Sequence, residues 1–147
     1  MTSIVNDCML FSLQQGEELP PYVKAHVTKV QIVQYAGASG DFNPLHTDDT
    51  FAQSIGMNGV IAHGMLVMGF LGEYVMQLAK TEAVVKNFSM RFGAMTVPGD
   101  TITCGGVVKH ISEAVPTTIT ITVTATNQHG KVVGGGEALL QKVGVTN

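Results

Sequence analysis

Charged side chains are what this sequence has least of. Asp, Glu, Lys and Arg make up 13% of its 147 residues, about half of the ~25% usual in soluble domains. Such a shortage points to extra buried surface, most simply in an interface between subunits. The formal net charge is −3. No basic run and no interleaving of aromatic with basic residues occurs, which argues against a nucleic-acid-binding surface. Cysteine is also scarce. Cys8 and Cys104 are the two thiols, far apart in the chain, with neither metal-type spacing nor the density of a disulfide framework. Met1 to Leu10 lacks the basic start and apolar core of a secretory signal. A reduced, cytoplasmic protein is therefore the expectation. Repeats and low-complexity stretches are absent. The length suits a single domain over residues 1–147, with 1–15 as a lead-in segment.

Apolar residues, by contrast, are plentiful at 45%. They concentrate in Gly64 to Ala79, GMLVMGFLGEYVMQLA, which is apolar on nearly every side of a helix. The segment is shorter than the ~20 residues a membrane span needs, and Glu73 interrupts it. A short helix of this kind is buried inside a protein, so no membrane span is expected and the segment becomes the central core helix. Gly69 and Gly72 leave room along it, either for close packing or for a channel. Glu73 is expected to face solvent or to be capped where elements cross.

The flanking segments have different periods. Tyr22 to Val27 is short and partly alternating, as a strand would be. Thr28 is placed to cap a helix through Val30, Ile32, Val33 and Tyr35, with Gly37 near its end. Ala38 to Asp48 follows as an irregular loop, and Asp49 to Ile55 as one or two helical turns stopped by Gly56. Beyond Lys80 come strands over Val84–Phe92, Thr101–Ile111, Thr117–Thr126 and Val132–Val143. Turns at Val97-Pro98-Gly99-Asp100 and Gln128-His129-Gly130-Lys131 join them, with a bend at Gly105-Gly106. In Thr117–Thr126 threonines alternate strictly with Ile119, Ile121, Val123 and Ala125, the clearest strand signal in the chain. Consecutive strands with short turns form an antiparallel sheet. Such a sheet must curve to cover a helix that is apolar all round, which gives an α+β fold with a curved sheet around a central helix.

Polar and turn-forming residues cluster in Tyr35-Ala-Gly-Ala-Ser39-Gly-Asp41-Phe-Asn43-Pro-Leu-His46. Pro44 forces Asn43 out of the helical region, and Asn43 can brace a turn through its amide. A turn can bring Asp41 and His46 together as an acid–base pair for water. Other chemistries fit less well. An EF-hand calcium loop fails because Leu45, His46 and Ala52 stand where ligand, glycine and glutamate belong. Zinc lacks close His or Cys spacing, so no metal is expected. Ser39 is not in a nucleophile elbow. The same stretch also suits a purely structural turn with a capping Asp and a packed His, and the residues alone leave both readings open. A second cluster, Ile61-Ala-His63-Gly64-Met65, opens the apolar helix, where unpartnered N–H groups and partial positive charge favour a developing oxyanion. Gly64 permits close approach there, or close helix–sheet packing. His63 either lines the site or is packed.

Together these residues resemble the MaoC-like family of (R)-specific enoyl-CoA hydratases and (3R)-hydroxyacyl-thioester dehydratases. The similarity rests on Tyr35, Ser39-Gly40-Asp41, Asn43-Pro44-Leu45-His46 and the small Ala52. Ile61 to Met65 resembles the segment opening the family's helix. Arg91-Phe92 with Val97 to Asp100 resembles a third block, which departs from the family in lacking a proline near Ala94 or Met95. The resemblance implies a hot-dog fold and a homodimer or higher homo-oligomer. It implies catalysis by Asp41, His46 and the Gly64 amide, with Ser39, Asn43 and His63 supporting the loop or binding substrate. The implied substrate is an acyl-CoA or acyl-ACP thioester, and the implied reaction is reversible syn hydration without a bound cofactor. Lys86, Arg91 and Lys109 are candidates to meet phosphates of the carrier, or simply scattered surface charge. Hot-dog proteins also include acyl-CoA thioesterases and non-catalytic partner subunits, which stand as the alternative functions.

Overall fold

In the computed structural model, which describes residues 4–144, the alternating threonine strand lies at the middle of a single sheet. The strands are β1 (Glu18–Lys24), β2 (Ala83–Phe92), β3 (Ile102–Ser112), β4 (Thr118–Thr126) and β5 (Val132–Lys142). Their order is β1-β3-β4-β5-β2, and every neighbouring pair is antiparallel. Alternation in β4 sends Ile119, Ile121, Val123 and Ala125 into the core. Its threonines line the opposite face, where a hydroxyl can remain hydrated.

The α-helices among the described residues are α1 (Lys29–Ser39), α2 (Asp49–Ser54) and α3 (Gly64–Ala79). α3 packs against β2, β3, β4 and β5. It buries Leu66, Val67, Phe70, Leu71, Tyr74, Val75, Leu78 and Ala79, at the three-and-four spacing of one broad helical face. Each such side chain removed from water contributes about 1.5–3 kcal/mol, so α3 anchors the core. The curved antiparallel sheet around this helix is the hot-dog fold. One stripe of α3 stays uncovered, with Met65, Gly69, Glu73 and Met76 exposed. No helix among the described residues is long and apolar enough to cross a membrane.

Several boundaries differ from the sequence expectation. β1 begins at Glu18 and includes Pro20-Pro21. The strand is at a sheet edge, where a missing N–H leaves no ladder bond broken, and its register shifts between Leu19 and Tyr22. Thr28 caps α1 as expected, its Oγ accepting from the Gln31 N–H at 3.0 Å. The helix runs past Gly37 to Ser39, however, and ends at Gly40, whose φ of 76° is left-handed and whose N–H donates to the Ala36 carbonyl. In β3 the irregularity falls between Val108 and His110 rather than at Gly105-Gly106. Gly106 instead allows close contact, since a Cβ there would meet Leu19 and the Thr122 carbonyl at 3.0 Å. The lead-in contributes to the core through Val5 and Leu10, both fully buried. Cys8 and Cys104 are free and buried. Burial first, then the nearby Glu73 charge, pushes the Cys104 thiol up to about 12, so it stays protonated and unreactive at neutral pH.

Candidate active site

Gly40 turns the chain out of α1 and releases the loop that carries Asp41. Three hydrogen bonds fix its course: Asp41 N–H donates to Ser39 Oγ (3.2 Å), Asn43 N–H to Asp41 Oδ1 (3.2 Å) and Leu45 N–H to Asn43 Oδ1 (3.0 Å). Short polar side chains bonding to backbone two residues on replace the lost helical bonds. Pro44–His46 then forms a single 3-10 turn capped by Asn43, and α2 follows with Asp48 as its cap.

Ile61, just before α3, ties this turn down at two points. Its N–H donates to the Leu45 carbonyl (3.2 Å), and its carbonyl accepts from His46 Nδ1 (2.7 Å). A carbonyl can only accept, so His46 Nδ1 carries the proton and Nε2 presents its lone pair in the neutral ring. That Nε2 faces Asp41 Oδ2 at 4.0 Å. The His46 side chain is 11% exposed and that of Asp41 is 53% exposed, so the imidazole is shielded while the carboxylate reaches solvent. His63 is buried beneath them. Its Nε2 lies 3.0 Å from the Asp41 carbonyl, and its ring stacks on His46 with centroids 3.7 Å apart.

A cavity of ≈230 Å³ opens above the pair, lined by Tyr35, Ser39, Asp41, His46, His63, Gly64, Met65 and Phe92. An adjoining, more apolar cavity of ≈180 Å³ shares His46, Gly64 and Phe92 and continues past Val67, Met95 and Thr96. Larger hollows of ≈350 and ≈500 Å³ lie near Phe11 and Lys142, toward the other end of α3. They are roomier but bring together no comparable acid–base geometry, so the smaller pair of cavities is the candidate site. Asn43 lies outside its lining and acts on the turn instead. Gly64 starts α3, and no side chain caps that end. A Cβ on Gly64 would meet the Phe92 ring at 2.9–3.0 Å, so tight packing and a helix start open to the cavity occur at the same residue.

The fold also brings Asp41, His46 and His63 together with potential ligand atoms within 4.8 Å of one another, a convergence hidden by the sequence spacing. Their geometry does not suit a metal. The imidazoles are stacked at an interplanar angle of 25°, so their in-plane lone pairs run side by side instead of converging. His46 Nδ1 and His63 Nε2 are committed to carbonyl oxygens.

Glu73 and Lys109 are engaged elsewhere. Glu73 accepts from Tyr22 and Lys24, and Lys109 pairs with Glu137. Lys86 and Arg91 are exposed on β2. Two contributors lie in segments named from sequence but were given no role there. Phe92 lies beside Gly64 from the end of β2, and the Ile61 carbonyl orients His46. A backbone acceptor leaves no mark on residue type, whereas the aromatic beside Arg91 was visible but unassigned.

A curved sheet around α3, with a carboxylate and an imidazole facing each other at the helix start, defines a hot-dog protein with a candidate site at that end of the helix. The MaoC like domain family matches residues 12–131, and the chain belongs to that family of hydratases and dehydratases. It is 35% identical over 114 residues to the (R)-specific enoyl-CoA hydratase of Rhodospirillum rubrum, covering 76% of this chain and 77% of that one. Identity to the (R)-specific enoyl-CoA hydratase of Aeromonas caviae is 31% over 123 residues, covering 80% and 91%. A solved structure of an A. caviae (R)-hydratase involved in PHA biosynthesis superposes with a TM-score of 0.79 at 28% identity, over 88% of this chain and 96% of that chain.

Proposed function

We propose that this protein catalyses the reversible syn hydration of a trans-2-enoyl thioester to the (3R)-hydroxyacyl thioester, with Asp41 and His46 activating the water. The observation that carries the reading is the 4.0 Å gap between Asp41 Oδ2 and His46 Nε2. Two acceptors at that separation can each take a hydrogen bond of about 2.8 Å from one water. Such a water directs its lone pair away from both, toward the cavity. Its oxygen bonds to C3 of the enoyl group while one of its protons leaves through the pair. Electrons of the C2–C3 double bond move toward the thioester carbonyl, and the Gly64 N–H at the start of α3 stabilises the oxygen on which charge develops. The same pair returns the proton to C2. Hydroxyl and proton therefore reach one face, which is syn addition, and the released and accepted protons balance. Ser39 and Asn43 hold the Asp41 turn in register.

Coenzyme A or acyl carrier protein carries the acyl group, and no bound metal or cofactor is needed. We place the activity in one domain and in a reduced, cytoplasmic setting, which the two free, buried thiols favour. Incubation with crotonyl-CoA tests the chemistry. Loss of enoyl absorbance with formation of (3R)-hydroxybutyryl-CoA supports it. Release of free thiol without hydration would make the protein a thioesterase instead.

We also infer a homodimer or higher homo-oligomer. β2 is a ten-residue edge strand with one side unpaired, and the uncovered stripe of α3 carries Met65 and Met76. Both suit burial against a second copy. Light scattering is expected to give at least twice the chain mass. A monomer at micromolar concentration contradicts the inference, and a required different chain supports the partner-subunit reading.

A further inference from the structure

His63 does more than fill space at the start of α3. It is 2% exposed, on a residue whose side chain does not cap its own helix. A histidine is costly to bury unless its polar atoms are satisfied. One of them is: Nε2 lies 3.0 Å from the Asp41 carbonyl. Because that oxygen only accepts, Nε2 must carry the proton, which leaves Nδ1 as the bare nitrogen of the neutral ring. Nδ1 is buried and has no hydrogen-bond partner among the described residues. A second proton there would find no acceptor.

The ring faces are used as well. One stacks on His46 at 3.7 Å, and Tyr35 meets the ring edge-on at 4.8 Å. His46 is itself held at Nδ1 by Ile61. The two imidazoles are therefore pinned through opposite nitrogens, His46 to the Ile61 carbonyl and His63 to the Asp41 carbonyl. A single side chain touches both members of that pair, the backbone of Asp41 and the ring of His46.

We propose that His63 is a positioning residue: its Nε2–H fixes the backbone of Asp41 and its ring is the platform that sets the plane of His46, so that one buried histidine determines the 4.0 Å gap across which water is activated. The proposal rests on the hydration reading for its consequence in turnover, but not for the tautomers it requires.

Three variants separate the two contacts. His63→Ala removes both, His63→Phe keeps the flat face without the donor, and His63→Gln keeps an N–H donor without the ring. Misplacing a reacting group by about 1 Å can lower turnover about 100-fold. His63→Ala is therefore expected to lower kcat by about 10–100-fold with KM little changed, and Phe and Gln are each expected to restore part of the loss. Ring ¹⁵N shifts of the unaltered protein supply a readout independent of activity: neutral His63 protonated at Nε2, and neutral His46 at Nδ1. Finding His63 protonated at Nδ1 overturns the proposal, as does a folded His63→Ala protein with kcat within about twofold of the original. Should the variants fail to fold, the ¹⁵N shifts decide. Absence of hydration by the unaltered protein would remove the hydration reading, while the ¹⁵N shifts would still decide whether His63 holds the pair in this manner.

Discussion

Glu73 and Asp41 are two carboxylates beside the same helix, and they are bonded in opposite ways. Both oxygens of Glu73 have direct partners, Tyr22 Oη at 2.9 Å and Lys24 Nζ at 2.8 Å. Asp41 has one oxygen engaged by the Asn43 N–H and the other left 4.0 Å from His46 Nε2. A closed ion pair has spent its charge on a neighbour. An open one can still bind and move a proton. Partial burial acts to raise the Glu73 pKa, but hydrogen bonds from Lys24 and Tyr22 and the Lys24 charge outweigh it, so the net shift is downward. For Lys24, burial acts downward and the Glu73 contacts outweigh it upward. The pair is thus locked in its charged form, suited to joining β1 to α3 and not to acid–base work.

The sharpest way to break the contrast is at His46. His46→Ala is expected to lower kcat by about 10²–10⁴ with a small change in melting temperature. The Asp41→Asn/His46→Ala double variant should fall little below the worse single, since groups acting as a unit are not additive. Multiplicative losses, read from steady-state kinetics, would mean that the two act separately. Gly64→Ala comes next. Its methyl would lie within 3 Å of the present Phe92 ring position, which must swing into or away from the cavity, and kcat/KM is expected to drop about tenfold. Asn43→Ala removes the brace on the Leu45 N–H, worth about 1 kcal/mol, and should cost about fivefold in kcat if that strain is felt at the pair.

Glu73→Gln sits at the small end. Its side chain is 41% exposed, so solvent screening limits the loss to about 0.5–1 kcal/mol, with kcat unchanged. The pH dependence has a definite sign. Stability from a lowered carboxylate pKa is present above the ordinary value of 4.5 and is lost as pH falls through the folded value. Stability from the raised Lys24 is present below 10.5 and is lost as pH rises through its folded value. Denaturant unfolding should therefore show a roughly constant difference between Glu73→Gln and the original protein from about pH 5 to 9, shrinking below pH 4.5. A fall in kcat would place Glu73 in the chemistry and remove the contrast.

How far these two carboxylates could be told apart from sequence alone depends on the range of their contacts. The α3 run and the β4 alternation were plain because local periodicity records which face is buried. The site loop was recognisable because Ser39, Asp41, Asn43 and Pro44 bond or bend within a few residues of themselves. The end of α1 was misplaced because Gly37 and Gly40 are both glycines, and only the backbone shows that Gly40 takes the left-handed turn. The start of β1 was hidden because Pro20-Pro21 suggests a break, whereas an edge strand tolerates it. The ties that orient the pair span longer gaps, 15 residues from His46 to Ile61 and 22 from Asp41 to His63. Both end on carbonyl oxygens, which every residue has.

The open Asp41–His46 gap is tested most directly by comparing the Asp41→Asn variant with the unaltered protein on crotonyl-CoA at neutral pH. Asparagine keeps the size and the Oδ1 acceptor of the turn but removes the negative charge. The account predicts (3R)-hydroxybutyryl-CoA from the unaltered protein and a loss of about 10²-fold or more in the variant, with folding intact by circular dichroism. Equal rates for the two proteins would contradict it.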